Sequence, residues 1–270
     1  MKKKCIMFGN CHCSGIAIFL KKFSNFYDIY DVEQYANWQL ILDNEHISTT
    51  SLQDADLVIY QPLSDVHNCY STNKHNPNSF FNLLKESCKT ISFPRIHNNA
   101  IFPIFKKNFH HNTMYGYVMN EISEINNINK LIELYDKDIL DYDFDNRMSK
   151  NYKISKEKEE NCDVKIIDFI FKNIQKHKLF LTQDHPTSFV FNEVTRQLCK
   201  LLNIDYDYNN GLLAEENITG LEDSVYHNKS CQYPISRYAI KHFKFEYIKN
   251  EDPDADHFYR NNTINYYKLL

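Results

Sequence analysis

The sequence predicts an α/β protein, with an N-terminal parallel sheet and flanking helices followed by a helix-rich second half. Two observations carry that expectation. Over the first hundred residues, short apolar runs alternate with segments whose apolar positions recur at helical spacing. Three of the apolar runs end in polar or turn-forming residues, at Gly9–Ser14, Gln61-Pro62 and Pro94–Asn99. Strands separated by helices need crossover connections, which favour parallel pairing. The 270 residues read as one α/β domain, with 1–118 as the sheet core and 119–270 as a helical and mixed elaboration.

Lys4–Phe8 forms the first strand, and Gly9-Asn10 breaks it. From Ser14 onward Ile16, Ala17, Phe19, Leu20 and Phe23 mark one face of a helix. Phe26–Val32, aromatic and β-branched, reads as a second strand, and Trp38–Glu45 as a helix. Asp56–Tyr60 ends the third strand at Gln61. Phe80–Ser87 reads as helical, and Lys89–Phe93 as a strand stopped by Pro94. Farther on, Asn120–Tyr135 predicts a polar helix and Asp136–Glu160 a charged, exposed stretch. Ile166, Ile167, Phe169, Ile170 and Ile174 make a helical face, and Leu179–Leu181 a short strand. Phe189–Leu202 is an amphipathic helix, and Tyr233-Pro234-Ile235 a turn.

Charge and composition narrow the function classes. The net charge is −4 with no basic stripe, which argues against duplex nucleic acid as a partner. The apolar run Cys5–Phe8 is too short for a signal peptide, and no later stretch could span a bilayer. A cytoplasmic location is therefore expected. Eight cysteines without framework spacing read as reduced thiols, mostly small buried hydrophobes. Cys11-His12-Cys13 has no second matched pair of ligands, so no metal is expected.

In parallel sheets ligands bind beyond the carboxyl ends of the strands. Cys11 stands between a strand and a helix start, where unpaired N–H groups and the helix dipole favour thiolate. The same N–H groups can hold an oxyanion or a phosphate. Gly9 permits a sharp turn and close approach, and Asn10 either donates to an oxyanion or caps the helix. Gly9, Asn10, His12 and Ser14, with Gln61, Arg95 and His97 at the other strand ends, form the candidate cofactor-binding set. Pro186 has the look of a first-turn proline, which puts His185 near a helix start as a general base with Asp184 to orient it. Cys11, His185 and Asp184 are thus the candidate catalytic residues. The bland alternative, a buried cysteine beside an Asn or Ser cap and a histidine at a helix end, stays open.

The order of short motifs carries a resemblance across roughly positions 4 to 245. It runs from Gly9-Asn10-Cys11 through Asp56–Ile59 with Gln61-Pro62, Phe93-Pro94 and Phe102-Pro103 to Cys162-Asp163-Val164. Leu179-Phe180-Leu181-Thr182, His185-Pro186-Thr187 and Tyr233-Pro234-Ile235 complete it. Together they resemble the capsular-polysaccharide acetyltransferase family typified by WcbI. The family has Gln where this chain has His12. The resemblance implies an O-acetyltransferase that uses acetyl-CoA on a capsular or other surface-polysaccharide sugar precursor. Coenzyme A would be the co-substrate, the sugar precursor the partner, and a homo-oligomer is admissible.

A Rossmann-like or SGNH-like sheet also suits a carbohydrate esterase or deacetylase. Here, however, Asp184 and His185 are adjacent, without the two-residue gap of SGNH-type esterases. A CoA- or nucleotide-binding accessory protein of capsule assembly is a further alternative. Thiol redox chemistry fits less well, because Cys11 and Cys13 are separated by one residue rather than two.

Overall fold

The computed structural model describes residues 1–102, 127–216, 232–250 and 252–267. In chain order the first elements are β1 (Lys3–Gly9), α1 (His12–Phe23), α2 (Phe26–Ile29), β2 (Tyr30–Ala36), α3 (Asn37–Asp43), α4 (Thr49–Asp54), β3 (Leu57–Tyr60) and β4 (Lys89–Ser92). There follow α5 (Ile128–Asp136), α6 (Phe144–Glu159), α7 (Ile167–Asn173), β5 (Phe180–Thr182), β6 (His185–Pro186), α8 (Ser188–Leu202), α9 (Tyr208–Glu216), α10 (Arg237–Phe243) and α11 (Ala255–Tyr267). The chain divides into two compact units. One comprises Met1–Ile96, Ser155–Ile170 and Pro186–Asn228; the other comprises His97–Ile154, Phe171–His185 and Lys229–Leu270.

The first unit holds a four-stranded parallel sheet in the order β2-β1-β3-β4. Its central strand β1 is buried from Cys5 to Gly9, as expected of a strand covered on both faces. Register sets the edge: Phe8 lies opposite Tyr60, and Tyr60 opposite Ser92. The Gln61 N–H donates to the Phe8 carbonyl at 2.9 Å, and the Phe93 N–H to the Tyr60 carbonyl at 2.9 Å. Gly9, Gln61 and Pro94 therefore leave the sheet at one edge, as the sequence predicts. Helix α1 buries Ile16, Ala17, Phe19 and Leu20 and carries Lys21 and Lys22 in its last turn, where cations suit the dipole.

Local packing changes several boundaries. The expected strand Phe26–Val32 begins as the helical turn α2, and β2 runs Tyr30–Ala36. Ser24 Oγ accepts the Phe26 N–H at 3.2 Å and Phe26 is fully buried, so its apolar character is spent on the core rather than the ladder. Phe80–Ser87 shrinks to the 3-10 turn Phe80–Leu83. There two neighbouring rings pack into the same core, Phe80 against Phe8 and Phe81 against Tyr60, with centroids 4.9 and 4.7 Å apart. Helix α4 carried no helical periodicity in the sequence; its start is fixed by Ser48, whose hydroxyl accepts the Ser51 N–H.

The charged stretch Asp136–Glu160, expected to be exposed, contains the sixteen-residue helix α6. Arg147, Asn151, Ser155 and Glu159, four residues apart, are all buried along one face. Glu159 is 1% exposed, and its carboxylate accepts the N–H groups of Ile166 and Ile167 at the entry to α7. Composition suggests solvent, whereas the four-residue spacing marks a buried polar stripe. Of the expected helix Asn120–Tyr135, residues 128–135 are helical in α5 and 120–126 lie outside the described residues, as does Pro103. Pro186 pairs in β6, and α8 starts at Ser188 behind the cap residue Thr187. The proline therefore precedes the helix instead of opening it.

Gly15 faces α8 so closely that an added Cβ would lie 2.5 Å from the Phe191 ring. Gly15→Ala should therefore destabilise the protein by about 1–3 kcal/mol, the usual effect of overpacking. Urea unfolding measures this; an unchanged midpoint would mean that the ring yields without penalty.

Candidate functional site

The turn after β1 is built around Asn10. Its Oδ1 accepts the His12 N–H at 2.9 Å, and its carbonyl accepts the Cys13 N–H at 3.0 Å. The Ser14 N–H closes on the Cys11 carbonyl at 3.2 Å. The first-turn donors of His12, Cys13 and Ser14 are thus consumed inside the turn. The expected anion cradle of several helix-start N–H groups is reduced accordingly. Because the Asn10 oxygen is engaged, its NH2 end is the part that can donate outward. Cys11 is half-buried at the start of α1, and Ser14 is half-buried in the first turn.

Gly9 is required for space, not for a left-handed turn. It has no positive φ, and a Cβ there would meet Cys13 Sγ at 2.8 Å and Gln61 Cβ at 3.1 Å. Burial raises the Cys13 thiol far above its ordinary range, with the neighbouring Cys11 adding to the effect, so Cys13 serves packing.

Two residues expected to touch a cofactor are built into the protein interior. His12 is 0% exposed, with its ring edge-on to Phe191 at 6.3 Å. Gln61 is buried, with Oε1 toward the Asn10 N–H at 3.4 Å and Nε2 toward His12 Nδ1 at 3.5 Å. These contacts tie Gln61 and His12 into the turn. Arg95 follows β4 and is half-buried.

In the second unit the loop after β5 meets the segment that begins at His97. The His97 Nδ1 and Asp184 Oδ1 atoms are 2.7 Å apart, and the Asn98 N–H donates to the Gln183 carbonyl at 2.8 Å. Gln183 Nε2 donates in turn to the Phe102 carbonyl at 3.3 Å, and Asn98 Oδ1 accepts the Ala100 N–H at 2.9 Å. Asn151 from α6 reaches the His97 carbonyl at 3.5 Å. A buried amide scaffold thus holds a histidine–carboxylate pair at a partly exposed position. With Nδ1 turned to the carboxylate, Nε2 is the nitrogen left to act.

Asp184, expected to orient His185, has its carboxylate against His97, and its charge also acts on His185. His185 instead has Nδ1 3.0 Å from Thr182 Oγ1. Its pKa is lowered by burial, an effect that Asp184 partly opposes. The scaffold residues Asn98, Asn151 and Gln183 carried no sequence signal beyond being polar. No group of three or more potential metal ligands occurs among the described residues.

A match to the polysaccharide biosynthesis enzyme WcbI family spans residues 4–206. The chain belongs to this family. A similar solved structure is that of WcbI, described as a novel polysaccharide biosynthesis enzyme, in native form without a disulfide bond between coenzyme A and one of its cysteines. It shares 18% identity and a TM-score of 0.59, over 77% of this chain and 74% of that one. At that identity the likeness shows the fold, a parallel α/β sheet with a helix-rich second half. No curated protein matches the chain. No helix among the described residues is long and apolar enough to cross a membrane.

The depressed pKa of His185 has a signed consequence for stability. Its folded value lies below the ordinary 6.5, so between the two the unfolded chain binds more protons. Stability is complete above that ordinary value and falls as pH drops through the window beneath it. Urea unfolding at neutral and mildly acidic pH should show this loss, and His185→Gln should reduce it. An identical pH dependence in the variant would remove His185 as its source.

Proposed function

We propose that this chain is an O-acetyltransferase that moves an acetyl group from acetyl-CoA to a hydroxyl of a capsular or other surface-polysaccharide sugar precursor. The observation that carries the reading is the His97–Asp184 pair at 2.7 Å, an acid–base dyad on a buried scaffold. Membership of a polysaccharide biosynthesis family supports a sugar acceptor. The similar WcbI structure, described by reference to coenzyme A and a cysteine, supports a role for Cys11 beside the thiol end of CoA. The turn fits that end better than a pyrophosphate, because its His12, Cys13 and Ser14 N–H groups are already engaged.

In the proposed reaction the acceptor oxygen attacks the thioester carbonyl, forming a C–O bond as the C–S bond breaks. His97 Nε2 takes the hydroxyl proton and returns it to the departing thiolate, so CoA leaves as the thiol. Asp184 keeps the ring oriented and stabilises the imidazolium. No acyl-enzyme on Cys11 takes part in this route. His185, kept neutral by burial, is the alternative base.

Several measurements test the assignment. A CoA concentration one hundred times its dissociation constant should stabilise the protein by about 2.7 kcal/mol. His97→Ala should lower acetyl transfer by about 10²–10⁴-fold, while His185→Ala keeps most of it. Asp184→Asn should slow transfer without weakening CoA binding. Incubation with acetyl-CoA alone should leave the intact mass unchanged; an acetyl adduct lost in Cys11→Ser would establish a covalent route. Full transfer by His97→Ala would end the dyad assignment, and acetate release without transfer would indicate a hydrolase.

A further inference from the structure

The second unit contains a cavity of about 670 Å³, within the usual range for small-molecule sites. Its wall includes the Tyr233-Pro234-Ile235 segment, which the sequence reads as a turn and as one of the motifs of the family resemblance. We propose that this cavity is the acceptor subsite and that it takes an uncharged saccharide unit. The inference rests on the sugar-acetyltransferase reading and adds to it where the sugar sits and which charge class it belongs to.

Three features of the lining support a neutral polyol. First, Tyr233 and Phe258 place their rings 5.5 Å apart at an interplanar angle of 36°, a continuous aromatic surface for the C–H face of a pyranose. Second, donors and acceptors are interspersed around that surface. Lys178 Nζ donates to Gln232 Oε1 at 3.4 Å, which leaves the Gln232 NH2 group as a donor. Asp252 Oδ1 accepts the Asp254 N–H at 3.0 Å, and the remaining carboxylate oxygens are acceptors. Sugar hydroxyls use both kinds of partner at once. Third, among the described lining residues Lys178 and Lys249 are balanced by Asp252 and Asp254, so a phosphate or uronate would meet two anions beside the two cations. Burial lowers the Lys178 pKa while Asp252 opposes the shift, in keeping with a lysine that serves as a local donor.

The cavity wall is also tied to the chemistry by the backbone. The Tyr233 N–H donates to the Leu181 carbonyl at 2.7 Å, and Tyr259 holds the Pro234 carbonyl at 2.7 Å. Leu181 precedes Asp184 by three residues, a backbone reach of at most about 10 Å. The backbone of the Tyr233 wall is thus bonded to the strand that leads to the carboxylate of the dyad.

The test measures binding, without acetyl-CoA, in the full-length protein. Saturation-transfer NMR is run with the methyl glycosides of glucose, galactose and mannose, and with glucuronic acid and glucose 6-phosphate for comparison. At least one neutral glycoside should bind in preference to both anions. Asp252→Asn and Gln232→Ala, polar changes at the rim with folding checked by circular dichroism, should each weaken it by about tenfold, the scale of one hydrogen bond to a charged group. CoA stabilisation should persist in both variants. The assignment is overturned if no neutral glycoside binds, if binding is indifferent to both substitutions, or if Lys178→Met abolishes the CoA shift and so marks the cavity as a phosphate site. Sugar binding without any acetyl transfer would keep the subsite and remove the transferase reading.

Discussion

Pairing of β1 on both sides is the constraint from which the first unit follows. A strand with β2 on one side and β3 on the other has its ladder satisfied throughout, so its register cannot slip without breaking both neighbours. That fixed register brings Gln61 level with the end of β1, where its side chain approaches the Asn10 N–H and His12. It also leaves no room for a side chain at Gly9. The position of Cys11 is therefore set by sheet geometry one residue at a time: strand end, steric glycine, capping asparagine, thiol.

Three histidines show how the environment, more than residue type, assigns a role. His12 is enclosed by Gln61 and Phe191 and belongs to the packing. His185 is half-buried beside Thr182, where desolvation disfavours its charged form. His97 is partly exposed, faces a carboxylate and has its carbonyl bonded by the Asn151 amide. A carboxylate at Nδ1 gives the His97 imidazole a fixed tautomer and leaves Nε2 for acid–base chemistry. Polar residues along α6 contribute in the same spirit: Asn151 supports the His97 backbone, and Glu159 caps the entry to α7.

Membership of a polysaccharide biosynthesis family and a parallel α/β fold bound the function without specifying it, since such sheets host many chemistries. The finer reading depends on individual side chains. On that level the second unit combines the histidine–carboxylate pair with a cavity whose aromatic and amide groups suit a polyol. The first unit holds a thiol at a helix start whose backbone donors are largely engaged.

Sequence alone determined the parallel sheet, the common edge of Gly9, Gln61 and Pro94, and the family. These rest on local periodicity and on the order of short motifs, which survive in one dimension. It did not determine which polar residues are buried. The four-residue stripe on α6 looks like a solvated charge run, and Phe26 looks like part of a strand, until the neighbouring surfaces that receive them are present. Nor could it show that His97 lies against Asp184. Adjacency pointed to His185, while chain folding brought His97 across 87 residues to 2.7 Å. Such a pairing is decided by tertiary structure, because two side chains meet according to the direction of their Cα–Cβ bonds and not according to their separation in sequence.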